Sequence, residues 1–282
     1  MMNTAELSVA SFNVHAGIDG WGRSFDVLRA CESIDADVLV LLESWEQENR
    51  TPFAHEVAQH GGYVCIDAGF APAVMLKRGP SLPPGARERW GPPFWSKRYP
   101  RVLSFTNKLR KARSSEELER LGYERVSGRW GFSLLCRLPI VHEEVSDLPR
   151  LRADRTDRKA VSVDVKVGNG EVRIVGTHLA HLEVGSLRQM RALHLRFGST
   201  QAPTILCGDM NSWAFPLRAM LPGWRRAVKG ATWPAWQPNS QIDHIFYRGP
   251  LEVTHGEVLT DFGSDHRPVR ATFKLKAKVQ HP

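Results

Sequence analysis

Strand after strand in this sequence ends in a side chain that binds metals or moves protons. Asn13 follows SVASF, Glu43 follows DVLVLL, His178 follows VRIVGT, and Asp209 and Asn211 follow TILCG. Asp243 sits in QIDHI, and Asp265 and His266 stand at the head of the last apolar run, DHRPVRATFKL. Taken singly, each reads as a turn or a cap, because Asp, Asn and Gly hydrogen-bond their own backbone. Brought together at the ends of the strands, they would line one pocket with carboxylates, amides and imidazoles. Loops that leave a rigid scaffold are where binding and catalytic groups collect. Carboxylates, amides and water form a hard-oxygen donor set, which suits Mg2+ or Mn2+ rather than zinc.

The elements that must position these groups are legible from periodicity. Val161, Val163, Val165 and Val167 alternate with polar residues, the period of a strand, and GNG turns that strand into EVRIVGTHL as a hairpin. SVASFNV, the continuous DVLVLLE, TILCGD, IDHIFYRG and HRPVRATFKL also read as strands, and YVCID and AVMLK as two short ones. FSLLCRLPI resumes the strand pattern after the middle of the chain. Helices are expected over SFDVLRACESI, with Val27, Leu28, Cys31 and Ile34 on one face, and over FAHEVAQHGG, SSEELERLG, GSLRQMRALHLRFG and FPLRAML. Antiparallel hairpins mixed with helices predict an α+β arrangement of two sheets covered by helices. No linker divides the chain, so residues 1–282 read as one domain.

That domain carries an insertion. Between Lys77 and Arg129 there are 14 Lys/Arg against 5 Asp/Glu, which exceeds the net charge of +8 on the whole chain of 282 residues. GPSLPPG and GPPFW within it are too rich in Pro and Gly for a regular element. A concentrated basic patch suits an anionic partner, whether nucleic acid, an acidic lipid surface or a phosphorylated substrate; it also suits a solvated surface insertion. Cys31, Cys65, Cys136 and Cys207 are scattered without a C-x-x-C pair, so no disulfide framework is expected. No apolar run approaches the roughly 18 residues that span a bilayer, and MMNTAELSVASFNV lacks the pattern of a secretory signal. The expectation is a cytoplasmic monomer.

The order of the polar motifs resembles the endonuclease/exonuclease/phosphatase superfamily, which includes DNase I, abasic-site endonucleases, neutral sphingomyelinases, inositol-polyphosphate 5-phosphatases and deadenylases. SFNVHAG, LVLLESW, GTHL, GDMNSW and the pair IDHI with GSDHRPV match in family order, from Asn13 to His266. The resemblance implies a four-layer αββα sandwich with the site at the mouth between two mostly antiparallel sheets. It also implies a divalent metal, Mg2+ or Mn2+, held by Asn13 and Glu43 with Asp265 as a further ligand. Asp209, steadied by Asn211, would orient or deprotonate the attacking water. His266, oriented by Asp243, would contact the phosphate and assist proton transfer, and His178 would hydrogen-bond a non-bridging oxygen. Physics agrees with those roles, since an anionic phosphodiester needs positive charge on its oxygens and a base on the opposite side.

Two departures bear on specificity. Leu42 stands where many members carry Gln, and GTHL carries a histidine that the abasic-site endonucleases lack. Arg158, where relatives often carry a basic residue, reads as a phosphate contact or a surface cation. Trp233 and Trp236 read as a stacking platform or as loop packing, and His181 and His15 as weaker candidates for the pocket. The resemblance implies a phosphodiester hydrolase, with nucleic acid favoured by the basic insertion. The alternative is a phospholipid or small phosphoester substrate, which Trp90, Phe94 and Trp95 among the cations would equally suit. A non-catalytic binding module would have lost one of Glu43, Asp209, Asp243 or His266, and all four are present.

Overall fold

In the computed structural model, the apolar runs assemble into two six-stranded sheets packed face to face. The structure describes residues 6–276 apart from 21, 49, 79–113, 121, 153, 155, 182–184 and 199–201. The first sheet contains β1 (Glu6–Asn13), β2 (Val38–Glu46), β3 (Val64–Arg78), β4 (Tyr123–Cys136), β11 (Leu251–Val258) and β12 (Val269–Leu275), in the order β11-β12-β1-β2-β4-β3. The second contains β5 (Ile140–Asp147), β6 (Lys159–Val167), β7 (Gly170–His178), β8 (Thr204–Asp209), β9 (Arg225–Arg226) and β10 (Asp243–Arg248), in the order β5-β6-β7-β8-β10-β9. All pairings are antiparallel except two, β1 with β2 and β7 with β8.

Alternation decides what each face buries. Val38, Val40 and Leu42 of β2 point between the sheets, where they meet Val161, Val163 and Val165 of β6 in the main core. Leu39 and Leu41 point the other way and receive α1 (Val27–Ile34) and α2 (Phe53–Gly61). On the second sheet, Val175 and Leu206 receive α4 (Ser186–Phe197) and α5 (Ala214–Met220). Helix, sheet, sheet, helix is the expected four-layer order. Leu42 is fully buried in the core between the sheets. The helix α1 begins where Asp26 accepts a hydrogen bond from the Arg29 N–H at 3.0 Å, an N-cap contributing about 1 kcal/mol.

Three expectations need correction. YVCID and AVMLK form one strand, β3, broken only by a bulge between Ala68 and Ala71. Strand β4 begins at Tyr123, inside the basic segment, rather than at FSLLCRLPI, because Met75–Arg78 pair with Tyr123–Val126 as a continuing β3–β4 ribbon; the helix expected over SSEELERLG is present as α3 (Ser115–Arg120). Residues 79–113, with Trp90, Phe94 and Trp95, lie outside the described residues. Finally, β5 and β11 were not anticipated. Both are edge strands with many exposed polar residues, so neither carries a clean apolar alternation. Among the described residues no helix is long and apolar enough to cross a membrane.

Candidate active site

The two parallel pairs face each other across the sandwich, with the carboxyl ends of β1, β2, β7 and β8 at one mouth. Asn13, Glu43, His178 and Asp209 stand at or just before those ends. Asp243 opens β10 directly opposite Asp209 in register, and Asp265 and His266 arrive in the loop before β12. The Ser264 hydroxyl donates to the Asn13 carbonyl at 2.7 Å and so ties that loop to β1.

Local backbone conformations aim these groups. Glu43 sits at a register shift between Leu42 and Ser44 with φ 53°, in the left-handed region that costs a non-glycine residue about 1–2 kcal/mol. A bulge there turns the carboxylate out of the strand and toward the mouth. Asn211 also has a positive φ, 48°, which asparagine tolerates, and its N–H donates to Asp209 Oδ1 at 2.8 Å. Just before Asp209, Gly208 has φ 147°, and a Cβ there would overlap the carbonyl oxygen of Thr177 on the neighbouring strand.

Asn13 Nδ2 donates to Glu43 Oε1 at 3.1 Å and to Asp209 Oδ2 at 3.2 Å, while its Oδ1 accepts from the His15 N–H at 3.0 Å. Its amide therefore bridges two carboxylates across the sheets. His178 Nε2 lies 3.7 Å from Asp209 Oδ2, 3.8 Å from Glu43 Oε1 and 3.3 Å from the Asn211 amide nitrogen. Asp243 Oδ2 and His266 Nδ1 are 2.9 Å apart, both buried. His266 Nε2 then lies 3.9 Å from both Asp209 Oδ2 and Asp265 Oδ1. His15 Nδ1 approaches Asp265 Oδ1 at 3.5 Å, so His15 does line the pocket.

Burial and charge together set the protonation states. Desolvation alone would lower the basicity of His266, but the carboxylates of Asp243, Asp265 and Asp209 outweigh it and hold the ring protonated. Desolvation pulls His178 well below the usual imidazole value, and the positive charges of Arg158 and His266 lower it further, so this ring is neutral. Burial, with the negative charge of Asp243 behind it, pushes the Asp209 carboxyl up to about 7. Negative charge in this pocket is thus under-compensated.

That deficit bears directly on metal binding. Asp243 Oδ1 and Asp265 Oδ1 are buried oxygens without a hydrogen-bond donor, and Asp209, Asp243 and His266 offer ligand atoms within 4.8 Å of one another. A protonated His266 cannot ligate, which leaves oxygen donors, and an oxygen set fits a hard divalent cation. The residues present therefore fit the group.

The remaining predicted residues fall unequally around the pocket. Only 10% of the Arg158 side chain is exposed; it is bound to Asp154 at 2.8 Å, with Nη1 buried and unpaired. Its guanidinium lies 5.5 Å over the ring of Trp130, and that ring packs edge-on against His178 at 5.7 Å. Trp233 Nε1 donates to Asp265 Oδ2 at 3.4 Å, which fixes that carboxylate. Trp236 is half-buried in the same loop. His181 is exposed while His178 is buried, and among the described residues no metal-ligand group joins them. Trp130 was missed, because a tryptophan in the middle of a strand carries no linear sign that it faces a histidine 48 positions away.

Fold and pocket together define a four-layer sandwich with an acidic, histidine-flanked mouth. Residues 10–266 match the family described as the endonuclease/exonuclease/phosphatase family, and the chain belongs to it. A UPF0294 protein of Vibrio cholerae serotype O1 (El Tor Inaba N16961) is 27% identical over 133 residues, which are 43% of this chain and 47% of the relative. The chain thus spans about half the length of the curated relatives it matches. Among solved structures, an endonuclease/exonuclease/phosphatase from Beutenbergia cavernae aligns with TM-score 0.62 at 20% identity, over 97% of this chain and 72% of its own. D. rerio TDP2 complexed with single strand DNA product aligns with TM-score 0.59 at 14% identity, over 95% of this chain and 99% of its own.

Proposed function

We propose that this protein is a Mg2+- or Mn2+-dependent phosphodiesterase that hydrolyses its substrate by in-line attack of water. The observation that carries the reading is the buried pair of opposed groups, a protonated His266 and a desolvated Asp209, held 3.9 Å apart at one mouth. Enzymes push an acid and a base apart in this way when both must act near neutral pH. A divalent metal would be held by Glu43 and Asp265, and when bound it would supply positive charge to the phosphate oxygens. Asn13 keeps Glu43 and Asp209 in place through its bridging amide rather than by presenting its carbonyl oxygen.

The residues of the chain then divide the work. Asp209 takes the proton of the attacking water, oriented by the Asn211 backbone N–H and the Asn13 amide. His266 donates from Nε2 to the phosphate, and Asp243 fixes its Nδ1 and its positive charge. Neutral His178 directs Nε2 at a non-bridging oxygen, braced by Trp130. The unpaired Nη1 of Arg158 is the further cation for the same phosphate. We read residues 1–282 as one catalytic unit with a basic insertion, acting as a monomer in the cytoplasm on nucleic acid. The basic composition of 77–129 supports that substrate, as does the fold shared with a TDP2 that was captured with a single-strand DNA product. A phospholipid is the second reading, favoured by Trp213 and Phe215, 58% and 88% exposed just beyond Asn211.

The test is hydrolysis of bis(p-nitrophenyl) phosphate by the purified protein with Mg2+ or Mn2+, with EDTA and the Asp209→Ala variant as controls. Turnover that needs the metal and is lost in the variant supports the chemistry. Metal-independent turnover, or none at all without metal binding, sinks it. Oligonucleotides and phospholipid vesicles, compared side by side, separate the two substrate readings.

A further inference from the structure

A second cluster of metal-ligating side chains lies away from the mouth. On the outer face of the first sheet, Cys65 and Asp67 stand two residues apart on β3 and so project to the same side. His55, on α2, reaches down to them, with Nε2 2.7 Å from Asp67 Oδ2. Cys65 Sγ lies 3.4 Å from Asp67 Oδ1, and the three ligand atoms all fall within 4.8 Å of one another. The groups of the mouth sit at the strand ends between the sheets, whereas β3 is an edge strand of this sheet. Among the described residues these are the two groupings of this kind, and they differ in chemistry. The mouth offers oxygens and a protonated ring; the outer cluster offers one sulfur, one nitrogen and one oxygen.

We propose that His55, Cys65 and Asp67 form a second metal site that takes Zn2+ and pins α2 to the edge strand β3. Thiolate, imidazole and carboxylate are the ordinary zinc ligands, and a three-residue set leaves one position for water. Bond lengths of about 2.0–2.3 Å place tetrahedral zinc ligands roughly 3.3–3.7 Å apart, so closure needs side-chain shifts of about 1 Å. Asp67 already gathers the set, because one carboxylate accepts from His55, from Cys65 and from the Ser133 hydroxyl at 2.5 Å. Ser133, on the adjacent strand β4, is then the outer partner that orients a ligating carboxylate. Access is open, with the side chains of His55 and Asp67 47% and 35% exposed. Cys65 also differs from its three counterparts, since Cys31, Cys136 and Cys207 are buried while Cys65 is not. Binding at His55 Nε2 leaves the proton of the neutral ring on Nδ1, and the Cys65 thiol proton passes to solvent.

The experiment uses Co2+ as a spectroscopic stand-in for zinc, added to the full chain in a large excess of Mg2+ that fills the mouth. The expected result is a thiolate-to-cobalt charge-transfer band in the near ultraviolet that saturates at one equivalent and is bleached by Zn2+. Cys65→Ser abolishes the band, His55→Ala weakens cobalt binding by more than the roughly tenfold that losing an outer-shell partner costs, and Asp209→Asn leaves it intact. Circular dichroism confirms that each variant is folded. No band in the wild-type protein overturns the proposal. So does a band that survives Cys65→Ser, or one lost in Asp209→Asn, which would assign the metal to another thiol or to the mouth. None of these outcomes depends on whether the protein hydrolyses phosphodiesters.

Discussion

Replacing Gly208 with alanine is the sharpest probe of how the backbone aims the Asp209 carboxylate. Gly208 lies in β8 opposite Thr177 of β7 in the parallel register, with φ 147°, and its added Cβ would overlap the Thr177 carbonyl oxygen. Two costs arise. The backbone conformation is open to glycine and costs other residues about 1–3 kcal/mol. The overlap is with backbone rather than a flexible side chain, so the strands must part, which costs about 1–3 kcal/mol more. The total of about 2–6 kcal/mol is a large share of a stability of about 5–15 kcal/mol. Gly223 is the control, with φ 79° but open space around its Cβ position, so Gly223→Ala carries only the first cost. Urea melts should show Gly208→Ala the more destabilised of the two variants. Parting β7 from β8 also moves Asp209 relative to His178, and a misplacement of about 1 Å costs on the order of a hundredfold in rate. If Gly208→Ala matches Gly223→Ala in stability and keeps wild-type turnover, the steric account of this strand end is wrong.

Other perturbations probe the pocket from different sides. Glu43→Gly removes a left-handed non-glycine residue and one member of a crowded acidic cluster; urea melts in EDTA should show the variant about 1 kcal/mol more stable, with metal-dependent hydrolysis reduced to background. Arg158→Gln removes the unpaired buried guanidinium N–H, and steady-state kinetics should show kcat/KM falling roughly ten- to a hundredfold, the value of a charged hydrogen bond of about 1.5–3 kcal/mol. His244 is wholly buried, and desolvation lowers its basicity to about 4. The unfolded chain therefore takes up this proton near pH 6.5 while the folded protein does not until about pH 4. Stability attributable to His244 is full above pH 6.5 and falls by roughly 3 kcal/mol as pH drops to about 4. Urea melts across that window should show a shallower loss in His244→Gln.

What the sequence disclosed and what it withheld have physical reasons. Valine alternation in β6 and the apolar run of β2 were plain because both strands bury a face in the core. The residues that gather at the mouth were equally plain, since a polar group at the end of a buried strand is costly and therefore conspicuous. Edge strands β5 and β11 were hidden because exposure lets their residues be charged on both faces. The bulge in β3 hid a single strand as two, since Gly69 with φ 68° reads as a break while the pairing with β4 carries on past it. Asn13 illustrates a different limit. Its position was legible, but which end of its amide meets the carboxylates depends on the His15 N–H, which takes Oδ1. Trp130 and the unpaired nitrogen of Arg158 are properties of a tertiary contact, and no spacing along the chain encodes them.

The order of strands has one more implication. Residues 140–248 supply every strand of the second sheet, so among the described strands the chain passes between the sheets twice, after β4 and after β10. One leaf of the sandwich is therefore a continuous stretch nested inside the sequence of the other. The mouth is the seam where the leaves meet, and the Asn13 amide crosses it to a partner 196 positions away. Such a seam exists only while the book is shut. A fluctuation that opens the leaves by a fraction of a hydrogen bond dismantles the pocket before it melts any strand. Substitutions in the packed interior, at Val40 or Val163 for instance, thus act on the pocket from a distance, through the spacing of the two leaves.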